Sequence, residues 1–158
     1  MTGNNPPKIV HFLLLGHSRD HIVTVTEHFR PDAVVLFTSA DLALEHAEFI
    51  QELESDGLRV YEMVALSPFS EGAIESMTET ILTTHEKYAA KGNTIVMGLT
   101  GGTNLMVASM ALAALQKGSL AHYCVNDDSG TVLRIDILQR LSSSLNHQVF
   151  EEELARRG

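Results

Sequence analysis

One short segment of this 158-residue chain has residue types and spacing that suit ligand chemistry. It reads Gly98-Leu99-Thr100-Gly101-Gly102-Thr103-Asn104. Two adjacent glycines let the backbone turn sharply and approach a ligand closely, and the threonines add hydroxyl donors. An apolar stretch with helical character follows, and the free amides and dipole of a helix start favour a phosphate. The segment therefore predicts an anion-binding turn.

The elements that position this turn alternate regularly along the chain. Buried-strand patterns cover 9–15, 33–37, 58–66 and 94–97, and helical patterns cover 20–29, 41–54, 70–91 and 105–116. Asp41 is predicted to cap the second helix, and Ser70 to begin the third. Four strand–helix units in succession predict a mostly parallel sheet with helices on both faces.

The last two strand patterns, 120–125 and 131–137, differ from the others in their connection. Only about five residues separate them, which is too few for a parallel crossover, so we expect an antiparallel pair. The predicted fold class is α/β: a Rossmann-like, mostly parallel sheet with flanking helices and a C-terminal antiparallel β-hairpin.

Composition and charge narrow the classes of function. The chain is 44% hydrophobic and carries a net charge of −9, which argues against direct binding of duplex DNA. A small anion in a local pocket remains compatible with that charge. No apolar run reaches the roughly 18 residues of a membrane span. The N-terminus has no signal-peptide pattern, so a cytoplasmic protein is expected. Cys124 lies in a strand pattern and is predicted to be a buried, inert thiol.

Ligands of open α/β sheets bind at the carboxyl ends of the strands, which selects four loops: 16–19, 38–39, 67–70 and 99–104. Three of these loops supply the predicted ligand-binding residues, which are Gly16, His17, Ser18, Arg19, Thr38, Ser39, Thr100, Gly101, Gly102, Thr103 and Asn104. Serine, threonine and glycine are also ordinary turn and cap residues. The run Thr-Gly-Gly-Thr contains more than a cap requires.

Several common sites do not fit the sequence. The first strand is followed by Gly16-His17-Ser18-Arg19-Asp20 and not by the G-x-G-x-x-G of dinucleotide-binding domains. The chain has no Gly-Lys-Ser/Thr of a P-loop and no G-x-S-x-G elbow. His17 and His21 have a spacing that suits a metal on a helix, but nothing clearly completes the set. We therefore expect neither a metal nor a cofactor.

Two segments resemble the CRISPR-associated Rossmann fold (CARF) family of type III ancillary proteins. They are the strand exit Leu15-Gly16-His17-Ser18 and the run Leu99-Thr100-Gly101-Gly102-Thr103-Asn104-Leu105-Met106, and the resemblance covers about residues 8–138. It implies an antiviral-defence sensor that binds a cyclic oligoadenylate second messenger as a homodimer. The ligand loops follow the first and fourth strands. A two-fold axis suits an even ring, so cyclic tetra-adenylate is favoured, and cyclic hexa-adenylate is next.

The resemblance also divides the chain. Residues 1–138 are predicted to be the CARF-like domain. Residues 139–158 are predicted to be a C-terminal tail or a linker to an effector domain absent from this sequence. On this interpretation the chain is either a stand-alone protein or a piece of a longer one.

Two alternatives stay open. Some CARF relatives are metal-independent ring nucleases, which cleave the ring to linear products ending in a 2′,3′-cyclic phosphate. In that case Ser18, Arg19 and Asn104 are the catalytic candidates. Many relatives carry lysine where this chain has Asn104, and losing that cation weakens the case for cleavage. The other alternative is a Rossmann-like binder or enzyme for another nucleotide.

Overall fold

The computed structural model describes residues 6–125, 130–135 and 152–157. The strands are β1 (Ile9–Leu15), β2 (Ala33–Ser39), β3 (Val60–Leu66), β4 (Thr94–Gly98), β5 (Ala121–Cys124) and β6 (Val132–Ile135). The α-helices between them are α1 (Asp20–Phe29), α2 (Ala47–Ser55), α3 (Ala73–Ala89) and α4 (Asn104–Lys117). A 3₁₀ turn covers Ala43–His46, and residues 152–157 are also helical.

The six strands described form one sheet in the order β3-β2-β1-β4-β5-β6. Neighbouring strands are parallel except for β5 and β6, which are antiparallel. The predicted fold class is therefore confirmed. The chain adds β2 and then β3 on one side of β1 and places β4 on the other side. Strand order thus reverses between β1 and β4, and this is where such sheets open a crevice for ligands.

The helices cover both faces of the sheet. Helices α3 and α4 pack against Phe12 and Leu14 of β1, while α1 and α2 pack against Leu13 and Leu15. Because β1 and β2 are buried on both faces, their sequences are apolar without alternation. Among the helices described, none combines the length and apolar character needed to cross a membrane.

The predicted start of the second helix at Asp41 is wrong. The amide of Leu42 bonds to the carbonyl of Ser39, and the amide of Glu45 bonds to the carbonyl of Leu42. This three-residue spacing makes a 3₁₀ turn, and α2 begins only at Ala47. No side chain caps either element. Asp41 therefore lies outside the helix, and its carboxylate has no capping role.

The predicted start of the third helix at Ser70 is also wrong. The Ser70 hydroxyl donates to the carbonyl of Ser67 at 3.2 Å, and the amide of Ala73 bonds to the carbonyl of Ser70. Gly72 then adopts a left-handed φ of 68°, which interrupts a helix, so α3 begins at Ala73. The loop after β3 is consequently longer than expected.

The second strand of the hairpin starts one residue later than its sequence pattern. Strand β6 covers Val132–Ile135 of the predicted 131–137, and residues 136–137 lie outside the described residues. The predicted domain boundary at residue 138 also lies outside them and stays a prediction. Cys124 is buried, as its strand pattern predicted.

Two buried histidines meet across β4. Nδ1 of His11 on β1 lies 3.1 Å from Nε2 of His122 on β5, and Phe29 of α1 covers both rings at about 5 Å. The pairing needs Gly98, because a Cβ there would lie 2.8 Å from Cε1 of His122. Burial lowers the pKa of His11 to about 4 and that of His122 to about 3. Both rings are therefore neutral near pH 7.

This pair makes folding sensitive to acid. An unfolded histidine has a pKa near 6.5. Between about pH 7 and pH 4 these two histidines therefore become protonated in the unfolded chain, whereas in the folded chain the buried pair stays neutral. The free energy of unfolding therefore falls as the pH falls, by up to roughly 1.4 kcal/mol per pH unit for each group. In His122→Gln this fall becomes smaller, because one such group is removed. Urea unfolding at about pH 7 and about pH 4.5 measures it.

The control is His17→Gln, since His17 is exposed. That variant is expected to keep the pH dependence of the unchanged chain. Identical pH dependence in all three proteins would contradict a role for the buried pair.

Candidate functional site

The loops after β1 and β4 meet where strand order reverses. A Cβ atom placed on Gly16 would lie 3.1 Å from both Cα and N of Gly102, so the two backbones touch with no side chain between them. Gly101 and Gly102 both adopt positive φ angles, 96° and 67°. The predicted glycine turn is therefore real, and it packs directly on the predicted loop at Gly16.

Helix α4 begins at the end of this turn. Thr103 is its N-cap, and the Thr103 hydroxyl oxygen accepts a hydrogen bond from the Met106 amide at 3.2 Å. The Val107 amide bonds to the Thr103 carbonyl. Within the part of the chain that the structure describes, the amides of Asn104 and Leu105 have no protein partner. The first turn contains no acidic residue, so these amides and the helix dipole favour an anion.

A buried histidine supports the turn from below. Nε2 of His21 lies 2.7 Å from the Leu14 carbonyl oxygen, so this nitrogen must carry the proton that it donates. A Cβ on Gly101 would overlap the His21 ring and that same carbonyl. Burial lowers the pKa of His21, and the bond to Leu14 partly opposes the shift. His21 therefore packs under the turn and does not act as a ligand.

The hydroxyl oxygens of Thr100 and Thr103 have structural roles that the sequence did not reveal. The Thr100 oxygen accepts a hydrogen bond from the Cys124 amide at 2.7 Å, which ties the turn to β5. The Thr103 oxygen caps α4. Each hydroxyl keeps its own hydrogen, so both can still donate.

A cavity of about 110 Å³ opens beside the two loops. Five of the predicted residues line it: Gly16, His17, Ser39, Gly102 and Thr103. Five others that line it were not among the predicted site residues: Leu15, Asp41, Leu42, Phe69 and Met106. Of these, Phe69 lies in the candidate ligand loop 67–70. The position of Asp41 just after β2 was a usable signal, but its interpretation as a helix cap concealed it.

Six predicted residues do not line the cavity: Ser18, Arg19, Thr38, Thr100, Gly101 and Asn104. Arg19 donates to the Glu45 carbonyl at 3.1 Å, and its guanidinium lies 5.2 Å from the centre of the Phe49 ring. Arg19 therefore ties the loop after β1 to the start of α2. Thr38 is completely buried. Ser18 and Asn104 are exposed, and each directly follows a cavity-lining residue in the sequence.

Larger grooves of about 370 to 410 Å³ lie at the opposite ends of the strands. These grooves border residues that precede β1, β2, β3 and β4, and no residue of the glycine turn lines them. Ligands of this fold class bind at the carboxyl ends instead, so we assign the site to the smaller cavity. Among the described residues, no three histidine, cysteine or acidic side chains are grouped to hold a metal ion.

The space under the glycine turn can be tested with a matched pair of variants. Gly101 and Gly92 both have positive φ, but a Cβ on Gly92 meets nothing within 4 Å. Gly92→Ala is expected to lose about 1–2 kcal/mol of unfolding free energy from φ strain alone. Gly101→Ala is expected to lose at least about 3 kcal/mol, because the added methyl overlaps His21 and Leu14. Urea unfolding compares them, and equal losses would contradict the tight packing.

By sequence, the chain matches no family profile and no curated relative. Its fold matches solved structures. Csm6 from Enterococcus italicus, solved with cyclic hexa-2′-fluoro-hexa-dAMP, superposes with a TM-score of 0.71 at 13% identity, over 90% of this chain and 46% of that one. Can2 from Sulfobacillus thermosulfidooxidans, in complex with cyclic tetra-adenylate, gives 0.60 at 17% identity, over 80% and 36%.

A type III CRISPR defence DNA nuclease activated by cyclic oligoadenylate also matches, with a TM-score of 0.60 at 22% identity, over 84% of this chain. The chain spans 20% of that nuclease and 46% of Csm6, so it corresponds to less than half of either protein. At these identities the matches establish the fold. They agree with the fold that the sequence resemblance implied.

Proposed function

We propose that this chain, whose fold is the CRISPR-associated Rossmann fold, is a sensor domain that binds a cyclic oligoadenylate. One observation carries the proposal. The double-glycine turn, the Gly16 loop and the start of α4 form one cradle at the point where strand order reverses. Cyclic tetra-adenylate is the first candidate, and cyclic hexa-adenylate is the second.

The acidic net charge does not oppose such a ligand. Exposed charges farther away than about 8–10 Å are largely screened at physiological salt, whereas backbone amides and a helix N-terminus act at contact distance. Gly102 and Thr103 line the cavity, and the free amides of Asn104 and Leu105 follow them directly. The cradle therefore offers a phosphate local donors on a protein of net charge −9.

Ring symmetry and one apolar helix face support a homodimer. Two copies related by a two-fold axis would present the same loops to both halves of a ring with an even number of phosphates. On α4, Leu105 and Leu112 are 40% and 41% exposed. They lie two helical turns apart, on the same face. We assign this face to the contact between subunits, next to the cradle.

The eleven ligand-binding residues predicted from the sequence then divide by role. Direct contact is proposed for those that line the cavity: Gly16, His17, Ser39, Gly102 and Thr103. Thr100 and Gly101 shape the turn beside them. Ser18 and Asn104 are placed at the rim, Arg19 holds the β1 loop to α2, and Thr38 is buried beneath.

Sensing is proposed ahead of ring cleavage. Cleavage requires groups that position the ribose 2′-hydroxyl and stabilise charge on the phosphoryl oxygens. None of the three candidates for that role, Ser18, Arg19 and Asn104, lines the cavity. The guanidinium of Arg19 is already engaged by Glu45 and Phe49. Bound ligand should therefore remain intact.

Three measurements test these proposals. Calorimetry with cyclic tri-, tetra- and hexa-adenylate measures affinity and ring size, and sedimentation of the complex measures the number of subunits. Chromatography after long incubation with excess protein detects linear products ending in a 2′,3′-cyclic phosphate. Such products would support the ring-nuclease alternative. Absence of binding to every ring would overturn the proposal in favour of another nucleotide ligand.

The cradle itself is tested at Gly102. The nearest atom to a Cβ there is the flexible end of the Met106 side chain, at 2.9 Å, and asparagine and aspartate both tolerate left-handed backbone. Gly102→Asp is expected to weaken ring binding at least about a hundredfold, because its carboxylate would face a phosphate. Gly102→Asn, which has the same size without the charge, is expected to weaken binding much less. Equal affinities of the two variants would contradict a phosphate at this turn.

A further inference from the structure

The acidic residue Asp41 stands in the wall of a cavity that otherwise favours anions. The 3₁₀ turn that follows Asp41 has no side-chain cap, so the Asp41 carboxylate does not cap it. Within the described residues the Asp41 carboxylate has no ion-pair or hydrogen-bond partner. An unpartnered carboxylate in a binding cavity is available to a ligand.

Charge determines which part of a ligand can lie against Asp41. A phosphate at contact distance from a carboxylate is repelled, and the repulsion grows as water is excluded. A carboxylate accepts hydrogen bonds only, so the group beside it must be a donor. The phosphate donors, Gly102, Thr103 and the start of α4, belong to the loop after β4, whereas Asp41 follows β2. The cavity therefore has one end for an anion and another for a hydrogen-bond donor.

Four of the other lining residues have apolar side chains. Leu15, Leu42 and Met106 line the cavity together with Phe69, whose side chain is 79% exposed. Phe69 projects from the long loop that precedes α3. An aromatic ring exposed at the mouth of a cavity offers a face on which a planar group can stack, and every nucleobase has such a face.

We infer that this cavity takes one adenine base of the ligand, with Asp41 accepting a hydrogen bond from the exocyclic N6 amine and Phe69 stacking on the ring. The inference rests on the proposed function for the identity of the base. It assigns base recognition to the loops after β2 and β3, whereas phosphate binding is assigned to the loops after β1 and β4. Hypoxanthine carries an oxygen acceptor where adenine has its amine, so a carboxylate placed against the group at C6 would disfavour it.

The test compares adenine with hypoxanthine in two ligand formats. Calorimetry uses cyclic tetra-adenylate and cyclic tetra-inosinate, and protein NMR titrations use AMP and IMP at millimolar concentration. The unchanged protein is expected to prefer adenine by about tenfold or more in each format, the size of one charge-assisted hydrogen bond. In Asp41→Asn the preference should nearly vanish, because the amide can also donate to the hypoxanthine oxygen. The gain for hypoxanthine is the signature that a structural role would not produce.

The control is Glu48→Gln on α2, which removes an exposed negative charge outside the cavity. It should leave the adenine preference unchanged. If Asp41→Asn tightens binding of both bases equally, the carboxylate only repels phosphate, and the inference is overturned. Absence of an adenine preference in the unchanged protein also overturns it. If no ring binds but AMP is still preferred over IMP through Asp41, the base pocket stands and the proposed function fails.

Stacking on Phe69 is tested by Phe69→Ala. Affinity for both AMP and IMP should fall by about tenfold, because stacking does not depend on the group at C6. Unfolding free energy should barely change, since the side chain is exposed. Leu44→Ala is the matched control, because Leu44 is a large apolar side chain, 93% exposed, outside the cavity. Unchanged affinity of Phe69→Ala would exclude the stacking contact.

Discussion

The contact between two backbone turns governs the candidate site. Gly16 lies so close to Gly102 that a side chain on Gly16 would displace the second turn. Strands β1 and β4 are parallel neighbours on which the chain changes direction across the sheet, so their loops share one crevice. The start of α4 follows the second turn directly. The contact between the two loops therefore fixes the direction in which the free amides at the start of α4 point.

Buried histidines support this contact from within the fold. His21 fills the space under Gly101 and donates to the end of β1, and His122 occupies the space that Gly98 leaves open. Each glycine thus has a bulky polar ring beneath it and not a void. Burial favours the neutral form of both rings. The His122 ring packs against Phe29. The shape of the turn therefore depends on the His21 ring beneath Gly101.

The electrostatics of the site are local and differ from one end of the cavity to the other. Net charge describes the whole surface, but a ligand in this cavity meets amides and hydroxyls on one side and the Asp41 carboxylate on the other. A nucleotide has the same polarity, with an anionic phosphate and a base that carries donors. An acidic protein with such a cavity can bind an anion and also orient it.

The amino-acid sequence by itself determined the order of strands and helices, the C-terminal hairpin and the glycine turn, because these depend on residues close together in the chain. The order of strands in the sheet, the contact of Gly16 with Gly102 and the roles of His21 and Arg19 needed the tertiary structure, since their partners are distant in sequence. Asp41 and Phe69 show the difference best. Local rules made Asp41 a helix cap, and they placed Phe69 in a candidate ligand loop just before a helix without selecting it as a site residue. Packing lengthened both connections and brought the two residues into one cavity.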